Sequence, residues 1–382
     1  MKITAVTSYF PKSTRVYDGN SAVQTLRRLQ QRAAIEVLCP IATYPNIRGL
    51  APEGYRQEDP NFQPPDFKAA YVQYPAIAGL TRPINGRILA ARLLPILRAS
   101  KPDLILNYWL YPDGYSAVTA GRKLGVPVIV GAIGSDLRAR TDPLTKRLVR
   151  QTMLRADAVI VVSEELRRLT LADGVPPEKV TTILNGSDSS IFHPGDRDEA
   201  RREVGLGSDQ EIILFVGSLL ATKGLTELMD AFIELARTRP ALRLVIVGQG
   251  PFESPLLERA SAAGLRDRIL MAGRQDAAGV ARWMRASDVF CLPSYSEGCP
   301  NVVVEALSCG RPVVATNVGG IPELVNETCG ILVPPRDSQK LRTALDDVLS
   351  RSWPAAGWFH RSWDDVGNET FAVCERLLAG RA

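Results

Sequence analysis

The pattern of apolar and polar positions predicts an α/β chain. Short segments rich in Val, Ile and Leu alternate with longer segments in which apolar residues recur at helical spacing. This alternation is typical of parallel strands joined by helices that cover both faces of a sheet. The predicted strands occupy residues 2–7, 36–39, 104–107, 126–130, 158–162, 180–184, 212–216, 242–247, 269–271, 289–292 and 313–316.

Two segments interrupt this alternation. Residues 185–198 are rich in Gly, Pro, Ser and Asp, which break regular elements and are typical of a linker between domains. Residues 44–66 contain five prolines and are expected to form a long surface loop after an early strand. At 382 residues the chain also exceeds the usual size of a single core. We therefore predict two doubly wound Rossmann-like domains, at 1–190 and 196–355, that face each other across a cleft.

Composition places the chain among ordinary globular proteins. Hydrophobic residues make up 45% and charged residues 23%, and the net charge of +5 does not by itself imply a polyanionic partner. The six cysteines form no C-x-x-C pair and only two histidines accompany them, so neither a zinc site nor a redox couple is predicted. No signal peptide and no apolar run of about 18 residues is visible, and we expect a reducing, cytoplasmic location.

The most informative motif extends from Leu292 to Gly310. Glu297 falls in the loop after a predicted strand, Pro300 suits the first turn of the following helix, and Gly310 suits its end. Glu305 falls inside that helix. Carboxylates accept pairs of hydrogen bonds from vicinal hydroxyls, and free amides at a helix start prefer phosphate oxygens. Such groups match the sugar hydroxyls, the diphosphate and the ribose of a nucleotide sugar.

Two glycine-containing loops follow other predicted strands. Gly217 and Gly224 bracket a loop in which Lys223 precedes a helix, a combination that suits an anion, although an exposed lysine at a helix start is the favoured explanation for this loop taken alone. Gly248-Gln249-Gly250 matches only the first part of G-x-G-x-x-G, because Glu253 occupies the third glycine position. A tight strand-to-helix turn is the simpler interpretation there, and a nicotinamide oxidoreductase is disfavoured.

Taken in order, these motifs resemble glycosyltransferase family 4, whose members are retaining enzymes of the GT-B fold. The resemblance covers nearly the whole chain, and Glu297 and Glu305 match the two glutamates of the family's E-x(7)-E signature. It also implies that a last helix, at about 360–382, completes the first domain. Further matches are Gly217 with Lys223-Gly224, Gly248-Gln249-Gly250-Pro251, residues 286–289 and 316–323, and Asn185-Gly186 before Phe192.

The resemblance implies a role for each matching residue. Glu297 would contact donor-sugar hydroxyls, Glu305 would hold the ribose hydroxyls and Lys223 would neutralise the diphosphate, so Glu297 and Lys223 are the predicted catalytic residues. Enzymes of this kind are held to need no metal, no cofactor and no obligatory protein nucleophile, since charge on the leaving group is stabilised electrostatically. The predicted donor-binding residues are Gly217, Ser218, Lys223, Gly248, Gly250, Arg274, Gln275, Glu297, Gly298, Asn301, Val302 and Glu305.

Two positions depart from the family pattern. Ser218 stands where members usually carry an arginine, and Ile133 stands where many carry a histidine before a segment like Gly134-Ser135-Asp136. One positive charge at the diphosphate and one group that would polarise the transferring sugar are therefore absent. These departures leave open a second hypothesis, a nucleotide-sugar-binding protein of the same fold with little or no turnover.

Candidate acceptor-side residues lie in the first predicted domain. Gly19 and Asn20 follow the first strand and open a helix, where a plain helix cap is the alternative. Asp113 belongs to an aromatic-rich segment at a strand end, which would either stack on a sugar or lipid or pack as an ordinary loop. Asp136 is the fourth candidate, in the segment that follows Ile133.

Charge is divided unequally between the two halves. Up to Gly195 the chain has 25 Lys and Arg against 16 Asp and Glu, and after it 21 against 25. Six basic residues crowd the segment 138–155. We favour attraction to anionic lipid or to a lipid-linked acceptor over nucleic acid, because no nucleic-acid-binding motif accompanies the charge, and a solvated basic surface is the alternative.

Together these features predict a retaining hexosyltransferase. It would move a sugar from a UDP- or GDP-linked donor to a saccharide or lipid-linked saccharide in cell-surface or exopolysaccharide synthesis. It would act in the cytoplasm, peripheral to the inner face of a membrane.

Overall fold

The computed structural model describes residues 1–45, 47, 50–52, 55–64, 67–138, 142–353 and 361–380. The chain forms two compact units, one of Met1–Leu184 with Trp363–Ala382 and the other of Asn185–Ser362. The division therefore falls at the first residue of the segment that was predicted as a linker. The predicted domain limits at 355 and 360 lie outside the described residues.

The first unit contains one parallel sheet. Its strands are β1 (Lys2–Val6), β2 (Ala34–Thr43), β3 (Ala69–Pro75), β4 (Leu104–Asn107), β5 (Val128–Ala132), β6 (Ala158–Val161) and β7 (Val180–Thr182). They lie in the order β3-β2-β1-β4-β5-β6-β7, so the chain reverses its direction of travel at β1. That reversal opens a crevice at the carboxyl ends of β1 and β4, where parallel sheets of this type bind ligands.

The second unit repeats this arrangement with one strand fewer. Its strands are β8 (Glu211–Val216), β9 (Leu242–Val247), β10 (Ile269–Gly273), β11 (Val289–Leu292), β12 (Val313–Thr316) and β13 (Gly330–Val333). They lie in the order β10-β9-β8-β11-β12-β13, and the reversal falls between β8 and β11. The two sheets confirm the predicted α/β class and the doubly wound topology.

Helices connect the strands and cover the sheets. Those of the first unit are α1 (Asn20–Leu29), α2 (Arg82–Ser100), α3 (Tyr115–Leu124), α4 (Ser135–Arg138), α5 (Pro143–Arg155) and α6 (Glu164–Ala172). Those of the second unit are α7 (Arg197–Val204), α8 (Leu225–Leu235), α9 (Glu253–Ala262), α10 (Ala277–Ala286), α11 (Asn301–Ser308), α12 (Ile321–Leu324) and α13 (Ser338–Ser350). The last helix, α14 (Trp363–Ala379), belongs to the first unit.

Burial explains why the first unit needs the end of the chain. Every residue of β4 is buried, because apolar helix faces cover both sides of the sheet. On one side Leu89 and Leu93 of α2 are fully buried, and on the other Leu26 of α1 shares a core with Trp363 of α14. Gly367 permits α14 to pack closely, since a Cβ there would lie 2.5 Å from Cβ of Arg28 on α1.

The sequence pattern missed two strands, β3 and β13. Each lies at the edge of its sheet and pairs on one side only. In β3, Ala70 and Gln73 are exposed between buried neighbours, so its apolar run is interrupted. The strand β13 is only four residues long and begins with Gly330. An edge strand needs less continuous apolar character than a central one, and its signal in the sequence is correspondingly weak.

The described residues between β2 and β3 contain neither helix nor strand, as predicted for the proline-rich loop. All six cysteines are buried and unpaired. In the part of the chain that the structure describes, every helix is too short or too polar to cross a bilayer.

Candidate active site

Lys223 and Glu297 meet at the carboxyl ends of the central strands of the second unit. Lys223 ends a single helical turn after β8, and Glu297 lies in the loop between β11 and α11. Because β8 and β11 are paired, the loops that follow them are neighbours. Nζ of Lys223 donates a hydrogen bond of 2.6 Å to Oε1 of Glu297. The two predicted catalytic residues therefore form an ion pair, with 26% and 11% of their side chains exposed.

Two glycines in the left-handed backbone region bring these loops together. Gly224, with φ of 69°, follows Lys223, and a Cβ there would lie 1.9 Å from the carbonyl oxygen of Pro293. Gly319, with φ of 63°, would place a Cβ 1.9 Å from the carbonyl oxygen of Glu297. No side chain fits at either position, so both glycines are required by the contact between loops. These residues belong to the matched segments, but the sequence alone gave them no such role.

Backbone hydrogen bonds hold the same loops in register. The amide of Tyr295 donates to the carbonyl of Thr222 at 2.9 Å, which ties the β11 loop to the β8 loop. The amide of Gly320 donates to the carbonyl of Gly298 at 2.7 Å, which ties it to the loop after β12. The loop that carries Glu297 is thus held between the loops that follow β8 and β12.

The start of α11 offers free amide groups. The helix begins at Asn301, with Pro300 as its cap rather than inside its first turn as predicted, and Gly310 follows its end with φ of 69°. The first bond into the helix runs from the amide of Val303 to the carbonyl of Pro300 at 3.1 Å. Among the described residues the amides of Asn301 and Val302 have no acceptor. Such groups are suited to bind an anion.

Asn185 supports this helix start, a role that the sequence analysis did not predict. Its Nδ2 donates to the carbonyl of Cys299 at 2.8 Å and to Oδ1 of Asn301 at 2.7 Å. Residue 185 opens the linker, and the family pattern includes it only as part of an Asn-Gly pair. The sequence shows that an amide side chain precedes a turn, which suggests a hydrogen-bonding role for Asn185. It does not indicate which loop that side chain contacts.

Glu305 lies just over one turn inside α11. Burial raises the pKa of its carboxyl to about 7, and no hydrogen-bond or ion-pair partner offsets this among the described residues. A carboxylate without protein partners on the same helix as the free amides has its acceptor capacity available for hydroxyl groups.

The remaining predicted donor residues also follow the carboxyl ends of strands in this sheet. Gly250 packs under the β8 loop, because a Cβ there would lie 2.4 Å from the carbonyl oxygen of Leu219, and Gly248 likewise abuts Gly217. This packing agrees with a tight strand-to-helix turn. Ser218 is exposed, as is Arg274 after β10, whereas Gln275 donates to the carbonyl of Ala272 at 2.7 Å.

In the first unit, the acceptor-side candidates Asp113 and Asp136 are both buried. Burial raises the pKa of each to about 6, while backbone amides that donate to them act in the opposite direction. Asp136 accepts from the amides of Ile133 and Gly134 at 3.1 and 3.0 Å, so it orders the loop after β5. Asp113 accepts from the amide of Ser8, and its Oδ1 has no partner among the described atoms.

The other two acceptor-side candidates open α1. Gly19, with φ of 75°, stands at the N-cap position, and a Cβ there would lie 2.3 Å from the carbonyl oxygen of Tyr9. Asn20 is the first residue of the helix and is exposed. No side chain makes a capping hydrogen bond at this helix start, so the alternative of a plain cap by Asn20 or Ser21 is wrong.

Comparison with known proteins assigns the family. The family model described as glycosyltransferase family 4 matches residues 19–190, and that of glycosyl transferases group 1 matches residues 196–356. The chain belongs to glycosyltransferase family 4. Its Glu297–Lys223 pair and α11 lie in the part that matches the group 1 model.

Two curated relatives illustrate the range of this family. A D-inositol 3-phosphate glycosyltransferase of Segniliparus rotundus is 31% identical over 300 residues, which cover 72% of this chain and 66% of the relative. A Bacillus subtilis protein named for teichuronic acid biosynthesis, TuaC, is 28% identical over 368 residues, covering 90% and 88%. The matched region thus spans about two thirds of the first relative and most of the second.

Solved structures that are similar to this chain confirm the GT-B fold. Anabaena HepE in complex with UDP has a TM-score of 0.72 at 19% identity, with 99% of this chain and 96% of that chain covered. Sucrose-phosphate synthase from Thermosynechococcus elongatus has a TM-score of 0.73 at 21% identity, with 100% and 96% covered. At such identities the likeness concerns the fold alone.

Proposed function

We propose that this family 4 protein is a retaining glycosyltransferase that moves a hexosyl group from a UDP- or GDP-linked donor to a saccharide or lipid-linked saccharide. The observation that carries the proposal is the 2.6 Å pair of Lys223 and Glu297. This pair lies at the carboxyl ends of the strands of the second sheet, where the start of α11 also presents its free amides. The carboxyl ends of these strands thus offer positive charge for a diphosphate and carboxylates for hydroxyl groups.

Each donor group has a matching protein group in this proposal. The ammonium of Lys223 and the amides of Asn301 and Val302 bind the diphosphate oxygens. Glu297 accepts hydrogen bonds from hydroxyls of the donor sugar, and Glu305 accepts them from the ribose. The raised pKa of Glu305 supports this assignment, because hydroxyl donors would supply the hydrogen bonds that its carboxylate lacks.

The reaction balances without a protein nucleophile. The bond between the sugar C1 and the diphosphate oxygen breaks, and a bond from the acceptor oxygen to C1 forms on the same face. The acceptor proton passes to the departing phosphate oxygen. Lys223 and the start of α11 stabilise the negative charge that develops on that oxygen, which lowers the barrier electrostatically. We propose that no metal ion is needed, since these groups supply the positive charge.

The biological setting is proposed from the relatives and from charge. The name of TuaC points to the biosynthesis of teichuronic acid, and HepE was crystallised with UDP. The exposed basic residues Lys146, Arg147 and Arg150 on α5 support a role at an anionic membrane surface. Cell-surface or exopolysaccharide synthesis at the inner face of a membrane fits these features.

A binding protein with little turnover is the second candidate. It is favoured by Ser218, which is exposed and uncharged at the position of the arginine in the family pattern, and by Ile133 at the position of its histidine. Donor binding would be retained in both cases, because Lys223 and the α11 amides are present. Turnover is therefore the property that separates the two candidates.

The test joins donor binding to transfer. A panel of UDP-, GDP- and ADP-sugars at millimolar concentration is expected to raise the melting temperature with at least one member, by the linkage of binding to stability. Transfer from that donor should then fall by about two orders of magnitude or more in Glu297→Gln. Glu258→Gln, which neutralises an exposed glutamate on α9, is the control. Unchanged transfer in Glu297→Gln would refute its role, and donor binding without any turnover would favour the second candidate.

A further inference from the structure

A cavity of about 680 Å³ opens in the first unit at the carboxyl ends of β1, β2 and β4. Its volume lies in the middle of the range for sites that bind small molecules. We propose that this cavity binds the terminal glycosyl unit of the acceptor and that this unit carries an anionic group, either a carboxylate or a phosphate. The inference rests on the proposed function, because it specifies the acceptor of that reaction.

Aromatic side chains form two walls of the cavity. Tyr44 and Tyr55 meet edge to face, with ring centroids 4.9 Å apart and planes at 73°. Tyr9 and Trp109 are nearly parallel, with centroids 6.3 Å apart and planes at 23°. Aromatic rings present broad apolar faces with a polar tip, which suits a ring that is apolar on its faces and polar at its rim. The walls therefore favour a saccharide over a compact ion.

The loop between β2 and β3 is fixed over this cavity by Glu58. Its Oε2 accepts hydrogen bonds of 2.9 Å from the hydroxyl of Ser13 and from the amide of Thr14. Burial raises the pKa of Glu58, but hydrogen bonds from Thr14 and Ser13 and the charge of Arg15 outweigh burial, so the net pKa is lowered. Glu58 is thus an ionised, fully engaged carboxylate that closes one side of the cavity.

The charges around the cavity are not balanced. Arg15 lies near two carboxylates, at 3.5 Å from Asp18 and 3.7 Å from Glu58. Lys12 and Arg56 also line the cavity, and neither forms an ion pair with a carboxylate in the described part of the chain. Three cationic side chains thus line the cavity against two carboxylates, both of which face Arg15, so the lining carries one net positive charge for a ligand.

Of the two cations without an ion pair, Lys12 and Arg56, Lys12 gives the stronger evidence for an anionic ligand. Only 4% of it is exposed, and its Nζ donates to the carbonyls of Ser8 and Phe10, which leaves the charge itself without a salt bridge. It also acts on the buried Asp113, where it opposes the effect of burial on the pKa. The buried ammonium interacts with Asp113 only through the coulombic field and has no direct ion-pair partner among the described residues, and an anion bound in the cavity would supply one. A neutral saccharide would not.

The experiment measures binding of small saccharides to the full chain without donor. Methyl β-D-glucuronide and glucose 6-phosphate carry the two anionic groups, and methyl β-D-glucoside is the neutral probe. We expect at least one anionic probe to bind about tenfold more tightly than the neutral one in calorimetry. Arg56→Gln, at an exposed position, and Lys12→Gln should each weaken the anionic probe several-fold without changing the neutral one. Arg98→Gln, on the exposed face of α2, should leave both unchanged.

The outcomes separate this inference from the proposed function. Equal binding of the anionic and neutral probes, or anionic binding that survives Arg56→Gln and Lys12→Gln intact, would overturn the inference. If Lys12→Gln lowers the melting temperature strongly, Arg56→Gln alone decides. A protein that binds and turns over a UDP-sugar but prefers neutral probes would keep its proposed function and lose this acceptor class. A protein that binds the anionic probe but no nucleotide sugar would keep the anion-binding cavity and lose its proposed function.

Discussion

The ammonium of Lys223 lies 2.6 Å from Oε1 of Glu297, so each residue neutralises the other before any donor binds. A diphosphate that enters the site offers Lys223 a second anion, and a donor sugar offers Glu297 hydroxyl donors. Glycines at 224 and 319 keep the two loops at this distance, since a Cβ at either would strike the opposite backbone. In the proposed function, the pair would therefore link binding of the diphosphate to the orientation of the sugar.

Replacement of Lys223 by glutamine should reduce transfer more than it reduces donor binding. The α11 amides would still hold the diphosphate, but the positive charge that stabilises the leaving oxygen would be lost. We expect kcat to fall about 100- to 1,000-fold, because charge stabilisation at a developing oxyanion is worth this much. Steady-state kinetics with varied donor concentration measure it, with Lys340→Gln, 64% exposed, as the control. A change confined to KM would contradict the catalytic role.

Donor affinity should rise with pH through about 7. Burial raises the pKa of Glu305 to about 7, so below this pH its carboxyl is largely protonated and accepts hydrogen bonds from ribose hydroxyls poorly. The diphosphate diester of UDP-glucose does not titrate in this range. If only the ionised form binds, the affinity for UDP-glucose should increase about tenfold between pH 6 and pH 8. Calorimetry at several pH values tests this, and Glu305→Gln should bind weakly with a flat profile.

The stability of the empty protein should show the opposite trend at this residue. A carboxyl whose pKa is raised in the folded state is destabilising once it ionises, and this cost appears as the pH rises through about 7. Glu305→Gln lacks the charge and should melt at a higher temperature than the wild type at pH 8, with a smaller difference at pH 6. A difference that does not depend on pH would mean that Glu305 is not the titrating group.

Ser218→Arg should strengthen donor binding. The side chain of Ser218 is exposed beside Gly217 at the end of β8, at the position of the arginine in the family pattern. An added guanidinium would supply a second cation for the diphosphate, and KM for the donor should fall about three- to tenfold, less than for a buried charge pair. Ser254→Arg, on the exposed side of α9, controls for the change in net charge. An unchanged KM would show that this position does not approach the diphosphate.

Central strands and strand-end motifs were predictable from the sequence, but contacts between loops were not. The strands β4, β9, β11 and β12 have their predicted limits, because buried parallel strands are continuous apolar runs. Edge strands such as β3 are half exposed and escaped the same criterion. The support of Asn301 by Asn185 joins residues 116 positions apart, and no local pattern encodes such a pairing. The proximity of Lys12 to an aromatic-walled cavity arises in the same way.

Removal of metal ions should leave the reaction unchanged. Lys223 and the amides of Asn301 and Val302 provide positive charge for the diphosphate, so no divalent ion is required to neutralise it. Transfer measured in excess EDTA should stay within about twofold of the untreated rate, because no Lewis acid contributes to charge stabilisation in this proposal. A loss of activity that Mg²⁺ or Mn²⁺ restores would require a metal-dependent mechanism instead.

Binding to anionic membranes should depend on α5 rather than on the whole basic segment. Arg138 is already engaged, since its Nη2 lies 2.6 Å from Oε2 of Glu165, and Arg140 lies outside the described residues. Lys146, Arg147 and Arg150 are exposed on α5, and Leu144 beside them is 48% exposed. A basic helix face with an exposed apolar residue suits a membrane interface.

The triple variant Lys146→Gln/Arg147→Gln/Arg150→Gln should therefore lose at least tenfold in affinity for phosphatidylserine vesicles, given about 1 kcal/mol for each basic residue near such a surface. The matched control, Arg202→Gln/Arg282→Gln/Lys340→Gln, removes the same charge from exposed positions of the second unit. Co-sedimentation at two salt concentrations measures both, because electrostatic attachment weakens as salt screens it. Equal binding of the two variants would mean that α5 is only a solvated basic surface, and the charge difference between the halves would then carry no information about a membrane.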